Sequence, residues 1–307
     1  MTPTEVFFQQ IINGFTIGII YALIALGYTM VYGIARLINF AHGEVFMVGA
    51  YFALAIYSFS QTISSAMGPS GAIAVIIITF VVAMAGSALI GAGIERLAYR
   101  PLRDAPRLAP LITAIGISFL LQNAVMLIFG PADKSFPPII EIKKYSFGHV
   151  TITNFQILIS IIALSLMISL HLFIKHSRTG KALRALADDR EAASLMGIPV
   201  DRVISIAFIL GGAMAGAAGV MFGMYYNTIN FHDGYLAGLK AFTAAVLGGI
   251  GNIPGAMVGG ILLGILEGLG AGYLSSEWKN VFAFFILILI LLFRPKGLLG
   301  TRVVKKV

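Results

Sequence analysis

No cysteine occurs among the 307 residues, so neither a disulfide framework nor a cysteine-based metal site is possible. Charge is scarce as well: 11% of the residues are Asp, Glu, Lys or Arg, against roughly a quarter in an ordinary soluble domain. So few charges could not coat a globule of this size. The segment before Phe8 carries Glu5 but no Lys or Arg. The first apolar stretch, which contains Tyr21, Tyr28 and Tyr32, therefore lacks the basic n-region and short apolar core of a cleaved signal peptide, and is read as a retained span. Signatures of hydrolytic chemistry are missing too. Thr179-Gly180-Lys181-Ala182 has the Gly-Lys of a phosphate loop, but Ala182 stands where a Ser or Thr would meet magnesium, and Lys175 where the first glycine belongs. His42, His149, His171, His176 and His232 form no i, i+4 pair among themselves and no zinc-protease motif. Ser and Thr are scattered without a nucleophile elbow. The expectation is a chain without catalytic residues, metal or cofactor of its own, and unable to hydrolyse ATP by itself.

What is abundant is apolar sequence: 58% of the residues are hydrophobic. The clearest runs are Gly71 to Gly93, Pro110 to Gly130, Phe155 to Ile174 and Val203 to Tyr226, each long enough to cross roughly 30 Å of hydrocarbon at about 1.5 Å per residue. Phe8 to Ile34 adds one at the start. Val281 to Phe293 adds a short one at the end, flanked by Lys279 and Arg294, which can snorkel to the interfaces. Two stretches are less simple: Leu37 to Ser58 carries Asn39, His42 and Glu44, and Leu236 to Tyr273 is broken by glycines and Pro254. The fold expected is all-α, a single polytopic bundle over residues 1–307 with eight or nine hydrophobic segments and at least one discontinuous or re-entrant helix. Helices are required because a spanning backbone must satisfy its own hydrogen bonds, and these runs lack the alternation of barrel strands. The stretch Leu236 to Tyr273 could make two short crossings or one hairpin.

A net charge of +8 would raise the question of nucleic acid in a soluble protein, but here its placement decides. Arg96, Arg100, Arg103 and Arg107 form one basic connection, Lys175, Arg178, Lys181, Arg184, Arg190 and Arg202 a second, and Arg294, Lys296, Arg302, Lys305 and Lys306 a third. The opposite ends have only Lys134, Lys143, Lys144, Lys240 and Lys279. By the positive-inside rule the three connections are cytoplasmic, the N-terminus outside and the C-terminus inside.

Polar residues inside apolar runs are functional candidates, because burial in lipid is costly. Asn39, His42 and Glu44 fall within six residues of one another. Asn39 could cap a helix whose first turn holds Glu44, or the group could take part in gating or line a pathway. Gly248, Gly249, Gly251 and Asn252, followed by Pro254, mark a broken helix, tolerated at depth only inside protein or around a water-filled cavity. Glu267, flanked by apolar and small residues, could be a structural partner for Lys240 or a helix terminus, or could contact a cationic group of a substrate. GxxxG spacings at Gly212/Gly216, Gly219/Gly223, Gly255/Gly259, Gly260/Gly264 and Gly264/Gly268 read first as close helix packing.

The cytoplasmic stretch 175–202 is long and charged, with Leu183, Leu186, Ala187, Ala193, Leu195 and Met196 spaced for one amphipathic helix between Gly180 and Gly197. Such a helix can lie on lipid or dock a soluble partner. Glu191-Ala192-Ala193, three further positions and then Gly197 resemble the EAA loop of ABC importer permeases, although the Ile-x-Leu-Pro that usually follows is missing.

Over essentially its whole length the chain resembles the branched-chain amino acid permeases, the first membrane subunit of the high-affinity leucine/isoleucine/valine importer. The most specific segments are YALIALGYTMVYGIARLINFAHGEVFMVGAY, IERLAYRPLR, SRTGKALRALADDREAASLMGI and KAFTAAVLGGIGNIPGAMVGGILLGILE. The resemblance implies a multi-pass protein of the bacterial inner membrane that moves branched-chain, or more broadly hydrophobic, amino acids by alternating access. It implies a homologous second permease, two cytoplasmic ATPases that carry the ATP and Mg, and a periplasmic substrate-binding protein. It also assigns Arg184, Glu191, Ala192, Ala193 and Gly197 to the element that couples to the ATPases. The same family includes permeases for urea and amides, a second reading. A third, an autonomous secondary transporter, would share the glycine-broken helices but need no docking loop.

Overall fold

The structure, a computed structural model, describes residues 2–300 except Asp104, Arg107, Pro137 and Ile139, and except the side chains of 58–70 and Ser276. Arg107, Arg302, Lys305 and Lys306, counted among the basic connections above, lie outside the described residues.

Helix α1 (Pro3–Ala35) opens on a capping box in which Thr2 Oγ1 accepts the Glu5 amide and the Glu5 carboxylate accepts the Thr2 amide, with Pro3 in the first turn. It is buried almost without interruption from Ile19 to Val31, so it forms the axis of the bundle. Helix α2 (His42–Ile94) follows. Ser87 Oγ donates to the Val45 carbonyl at 3.3 Å, so the arms His42–Tyr57 and Gly71–Tyr99 lie side by side with the chain reversing between them. The second arm ends in a π-helical turn, Glu95–Tyr99. Then come α3 (Leu108–Phe129), α4 (Asn154–His176), α5 (Arg178–Asp188), α6 (Arg190–Leu195), α7 (Val200–Tyr226), α8 (Asp233–Gly248), α9 (Ile253–Tyr273) and α10 (Lys279–Phe293).

Among the described residues, six helices are long and apolar enough to cross a membrane, with His42–Tyr57 and Lys279–Phe293 as shorter apolar ones. The fold is thus helical and polytopic, as expected. The all-helical expectation needs one addition: among the described residues four short strands, β1 (Lys134–Ser135), β2 (Lys144–Phe147), β3 (Val150–Thr153) and β4 (Thr228–Ile229), form two antiparallel pairs, β1 with β4 and β2 with β3. They lie outside the apolar runs, where Gly148 at φ 65° turns the β2–β3 hairpin.

This hairpin marks one end of the bundle. Thr151 N donates to Gln9 Oε1 at 2.8 Å, and the Tyr273 hydroxyl to the Pro3 carbonyl at 3.2 Å. The opposite end is basic. There Arg36 donates to the Ala187 carbonyl at 2.8 Å and Leu298 N to the Leu247 carbonyl at 2.8 Å. Residue 3 and residue 299 therefore sit at opposite ends.

Glycines set how closely the core helices approach. A Cβ on Gly219 would meet the Phe46 carbonyl at 2.5 Å, and one on Gly268 the Gln10 carbonyl at 2.7 Å. Among the described residues, the GxxxG pairs all face neighbouring helices or, for Gly223, the Phe136 ring. In lipid, where apolar burial does not drive helices together, such backbone contact supplies the packing. Helix α3 is the opposite case: among its residues only Pro110, Ala114 and Val125 are buried, and Phe119, Leu120, Leu127 and Ile128 point outward.

The stretch Leu236 to Tyr273 becomes two antiparallel helices, α8 and α9. Gly249 (φ 107°) and Gly251 (φ 91°) make the turn between them in a conformation that a side chain would strain. Asn252 caps α9 by accepting the Gly255 amide at 3.0 Å. The amphipathic helix expected between Gly180 and Gly197 is corrected to two, α5 and α6. Asp189 stops the first and caps the second, accepting the Glu191 and Ala192 amides at 3.0 Å each.

Candidate functional site

The polar cluster begins where α1 ends. Arg36 takes a left-handed conformation (φ 55°), and the non-helical residues after it turn back into the bundle. His42 Nε2–H donates to the Ile24 carbonyl at 3.2 Å, and its ring lies where a Cβ on Gly27 would fall. Those positions precede the end of α1 by eight to eleven residues, roughly 12–16 Å of helix rise. Helix α2 thus starts at depth, and the span expected from Leu37 is non-helical up to Phe40.

Non-helical backbone at depth must be satisfied by protein, and here it is. Asn39 Oδ1 accepts the Ala41 amide at 3.1 Å and the Tyr99 hydroxyl at 3.3 Å, and His42 N donates to the Asn39 carbonyl at 3.1 Å. Asn39 therefore shapes the turn into α2, while Ala41 occupies the cap position without a side-chain bond. Asn39, expected as the cap, thus acts from two residues before the cap position.

Glu44 sits in the first turn of α2 and is 1% exposed. Its Oε1 accepts the Ser118 hydroxyl of α3 at 3.2 Å, and its Oε2 has no hydrogen-bond partner among the described residues. Glu267 meets Lys240 at 2.8 Å, both buried, with Lys240 Nζ also donating to the Tyr21 hydroxyl at 3.3 Å. The pair bridges α8, α9 and α1. Gly248, Gly249, Gly251 and Asn252 lie away from both clusters, at the basic end, where Asn252 donates to the Leu299 carbonyl at 2.6 Å and Leu299 N to the Gly248 carbonyl at 3.0 Å.

Two cavities flank the re-entering segment. One of about 510 Å³ opens at the basic end, against Tyr32, Arg36, Leu37, Tyr99, Arg103 and Arg190. The other, about 250 Å³, lies at the level of Ser118, against Tyr28, Phe40, Ile115, Ser118, Phe119 and Leu239. Ser118, Tyr28 and Phe40 carried no signal in the sequence, since single hydroxyls and aromatics in apolar runs are ordinary. Nor did Glu95, which is 1% exposed yet is surrounded in sequence by arginines that suggest an interface. It pairs with Arg103, which also pairs with Asp201, and accepts the Ser205 hydroxyl at 2.6 Å. These bonds tie the π-helical turn to α7. No three His, Asp or Glu side chains among the described residues are grouped to hold a metal ion.

In the loop of 175–202, Arg184 turns inward and donates to the Ile174 and Lys175 carbonyls at 2.9 and 3.0 Å, closing the end of α4. Ala193 is buried, Glu191 and Ala192 are exposed, and Gly197 (φ 81°) ends the turn after α6. Leu195 and Met196, expected on the apolar side of a helix that lies on lipid or docks a partner, are 88% and 83% exposed.

Together these features define a multi-pass helical membrane protein with polar groups gathered at depth beside a cavity. The model of the family described as branched-chain amino acid transport system / permease component matches residues 10–291, and the chain belongs to that family. It is 48% identical to the high-affinity branched-chain amino acid transport system permease protein LivH of Escherichia coli K12, over 98% of each chain. It is also 48% identical to BraD of Pseudomonas aeruginosa, which carries the same description, again over 98% of each. A probable LivH of Methanocaldococcus jannaschii is 29% identical over 91% of this chain and 88% of that one. Among solved structures, PsaBC from Streptococcus pneumoniae in complex with Fab aligns over 95% of this chain and 92% of that one at 14% identity, with a TM-score of 0.42.

Proposed function

We propose that this chain is the permease subunit of an ATP-binding-cassette importer that moves branched-chain amino acids across a bacterial inner membrane by alternating access. It works with a homologous second permease, two cytoplasmic ATPases that bind ATP and Mg, and a periplasmic substrate-binding protein. The three basic connections face the cytoplasm, the β2–β3 hairpin faces outward, and eight or nine segments enter the bilayer. Asn39, His42, Glu44 and Glu267 belong to the pathway or its gating. Gly248, Gly249, Gly251 and Asn252 form a hinge at its cytoplasmic end.

The observation that carries the ATP-driven reading over an autonomous transporter is α6. Six residues long, fixed at its start by Asp189 and at its end by Gly197, it holds Leu195 and Met196 almost fully exposed at the basic end. Exposed apolar side chains on a short braced helix fit the groove of a partner better than water. Glu191, Ala192, Ala193 and Gly197 build this coupling element, and Arg184 braces α5, which leads into it, against the end of α4. The test is Leu195→Glu in the assembled importer. The variant inserts and assembles normally in the membrane, yet ATP hydrolysis no longer rises when leucine-loaded binding protein is added. Wild-type stimulation in that variant would refute the docking role.

A further inference from the structure

The importer reading says that substrate passes through this subunit; it does not say where substrate rests. The 250 Å³ cavity lies beside the midpoint of α3, at Ser118, and beside the start of α2. Its walls come from α1, the re-entering segment, α3 and α8, through Tyr28, Phe40, Ser118 and Leu239. At roughly 30 Å³ per water it has room for about eight waters, close to the size of a valine, leucine or isoleucine molecule. Most of its lining is apolar.

Its polar lining is Tyr28, Ser118, Tyr235 and Gln122, the last paired with His232 at 2.6 Å. Ser118 spends its hydroxyl hydrogen on Glu44 Oε1 at 3.2 Å, which leaves the oxygen lone pairs as acceptors toward the cavity. Behind it stands the Glu44 carboxylate, 1% exposed, with Oε2 unpartnered among the described residues. Glu44 does not itself line the cavity, and its Oε2 packs where a Cβ on Gly234 of α8 would fall, so its charge acts on the cavity through Ser118. Tyr28, which lines the same cavity, supplies the complement, a phenol O–H that can donate. Acceptors backed by negative charge, a hydroxyl donor and apolar walls suit an amino acid zwitterion. A lipid tail would use the walls alone and leave Glu44 unmatched.

We propose that this cavity is a resting site for the transported branched-chain amino acid. Its ammonium sits on the Ser118 hydroxyl backed by Glu44, its carboxylate toward Tyr28, and its aliphatic group against Phe40, Ile115, Phe119 and Leu239. The side along Phe119, 61% exposed, is closed by the second permease. The segment Leu37 to Phe40 separates the site from the larger cavity at the basic end, since Phe40 lines one and Leu37 the other. Substrate leaving the site toward that end passes this segment. The inference rests on the importer reading and sharpens it.

Because the chain has no cysteine, Leu239→Cys places a single thiol on the cavity wall, and its uptake before modification is the baseline. In the complete importer reconstituted with binding protein, a bulky methanethiosulfonate reagent is added after assembly, and the unsubstituted chain in the same complex controls for partner thiols. Leucine uptake falls about tenfold on modification and returns with reductant, while ATP hydrolysis stimulated by loaded binding protein stays within about twofold. In parallel, Ser118→Ala lowers uptake roughly tenfold, the effect of losing a hydrogen bond to a charged group, and Ser118→Thr restores it. Full uptake by the modified Leu239→Cys complex, or by Ser118→Ala, overturns the site. An unmodified wild-type complex that hydrolyses ATP but moves no leucine would instead overturn the importer reading.

Discussion

The Lys240–Glu267 pair illustrates what a single buried charge demands of its neighbours. Both side chains are nearly inaccessible and meet at 2.8 Å, with Tyr21 completing the group. Removing one partner leaves an uncompensated charge, at a cost of about 3–5 kcal/mol, whereas replacing both by apolar residues of similar size is often neutral. Glu267→Gln and Lys240→Met should therefore each lower the midpoint of thermal unfolding in detergent, and the double variant Lys240→Met/Glu267→Leu should recover most of the loss. Uptake by the double variant then separates two roles. Normal uptake means that the pair only holds α8, α9 and α1 together; a stable variant without uptake means that the charges themselves gate the pathway. If the single variants are as stable as the parent, the pair contributes little to the fold.

At the scale of elements, the helix contacts of α7 are set by residues without side chains. A Cβ on Gly219 would meet backbone of α2 at 2.5 and 2.7 Å, whereas one on Gly116 of α3 meets nothing within 4 Å. Gly219→Leu should thus disrupt the packing of α2 on α7 and abolish a monodisperse peak in size-exclusion chromatography. Gly116→Ala should be neutral or stabilising by up to about 1 kcal/mol, from the better helix propensity of alanine. Equal behaviour of the two variants would contradict this packing.

Such elements differ in how far the sequence discloses them. The spans are legible because lipid demands uninterrupted apolar runs, and the buried partnership of Lys240 with Glu267 because a charge in such a run needs an opposite one. The division of the cytoplasmic loop is not, since Asp189 is acceptable within a helix and only its capping of α6 shows that it ends α5. On α6 and the turn after it, Leu195 and Met196 emerge on the outside, about 120° and 140° round from the face of Leu183 even on one continuous helix. The non-helical start of the second hydrophobic stretch is hidden as well. Leu37 to Phe40 are as apolar as a helix requires, apart from Asn39, whose bonds to Ala41 and Tyr99 exist only in the folded bundle.

For the molecule as a whole, the two ends differ in both charge and architecture. Arg36, Arg100, Arg103, Arg184 and Lys296 gather at one, together with α5, α6 and residue 299, while the strand pairs and the start of α1 occupy the other. If the basic end is cytoplasmic, the absence of cysteine makes the orientation directly measurable. Ser146→Cys lies in the exposed β2–β3 hairpin and Met196→Cys beside α6, both at exposed positions. A membrane-impermeant maleimide added to intact spheroplasts should label Ser146→Cys at once and Met196→Cys only after permeabilisation. Inside-out vesicles should reverse the order. Adding purified ATPase subunits to those vesicles, stripped of their own, should then protect Met196→Cys and leave the vesicle-enclosed Ser146→Cys unaffected after permeabilisation. Labelling of Met196→Cys from the outside of intact spheroplasts would invert the topology and remove α6 from the only compartment that holds ATP.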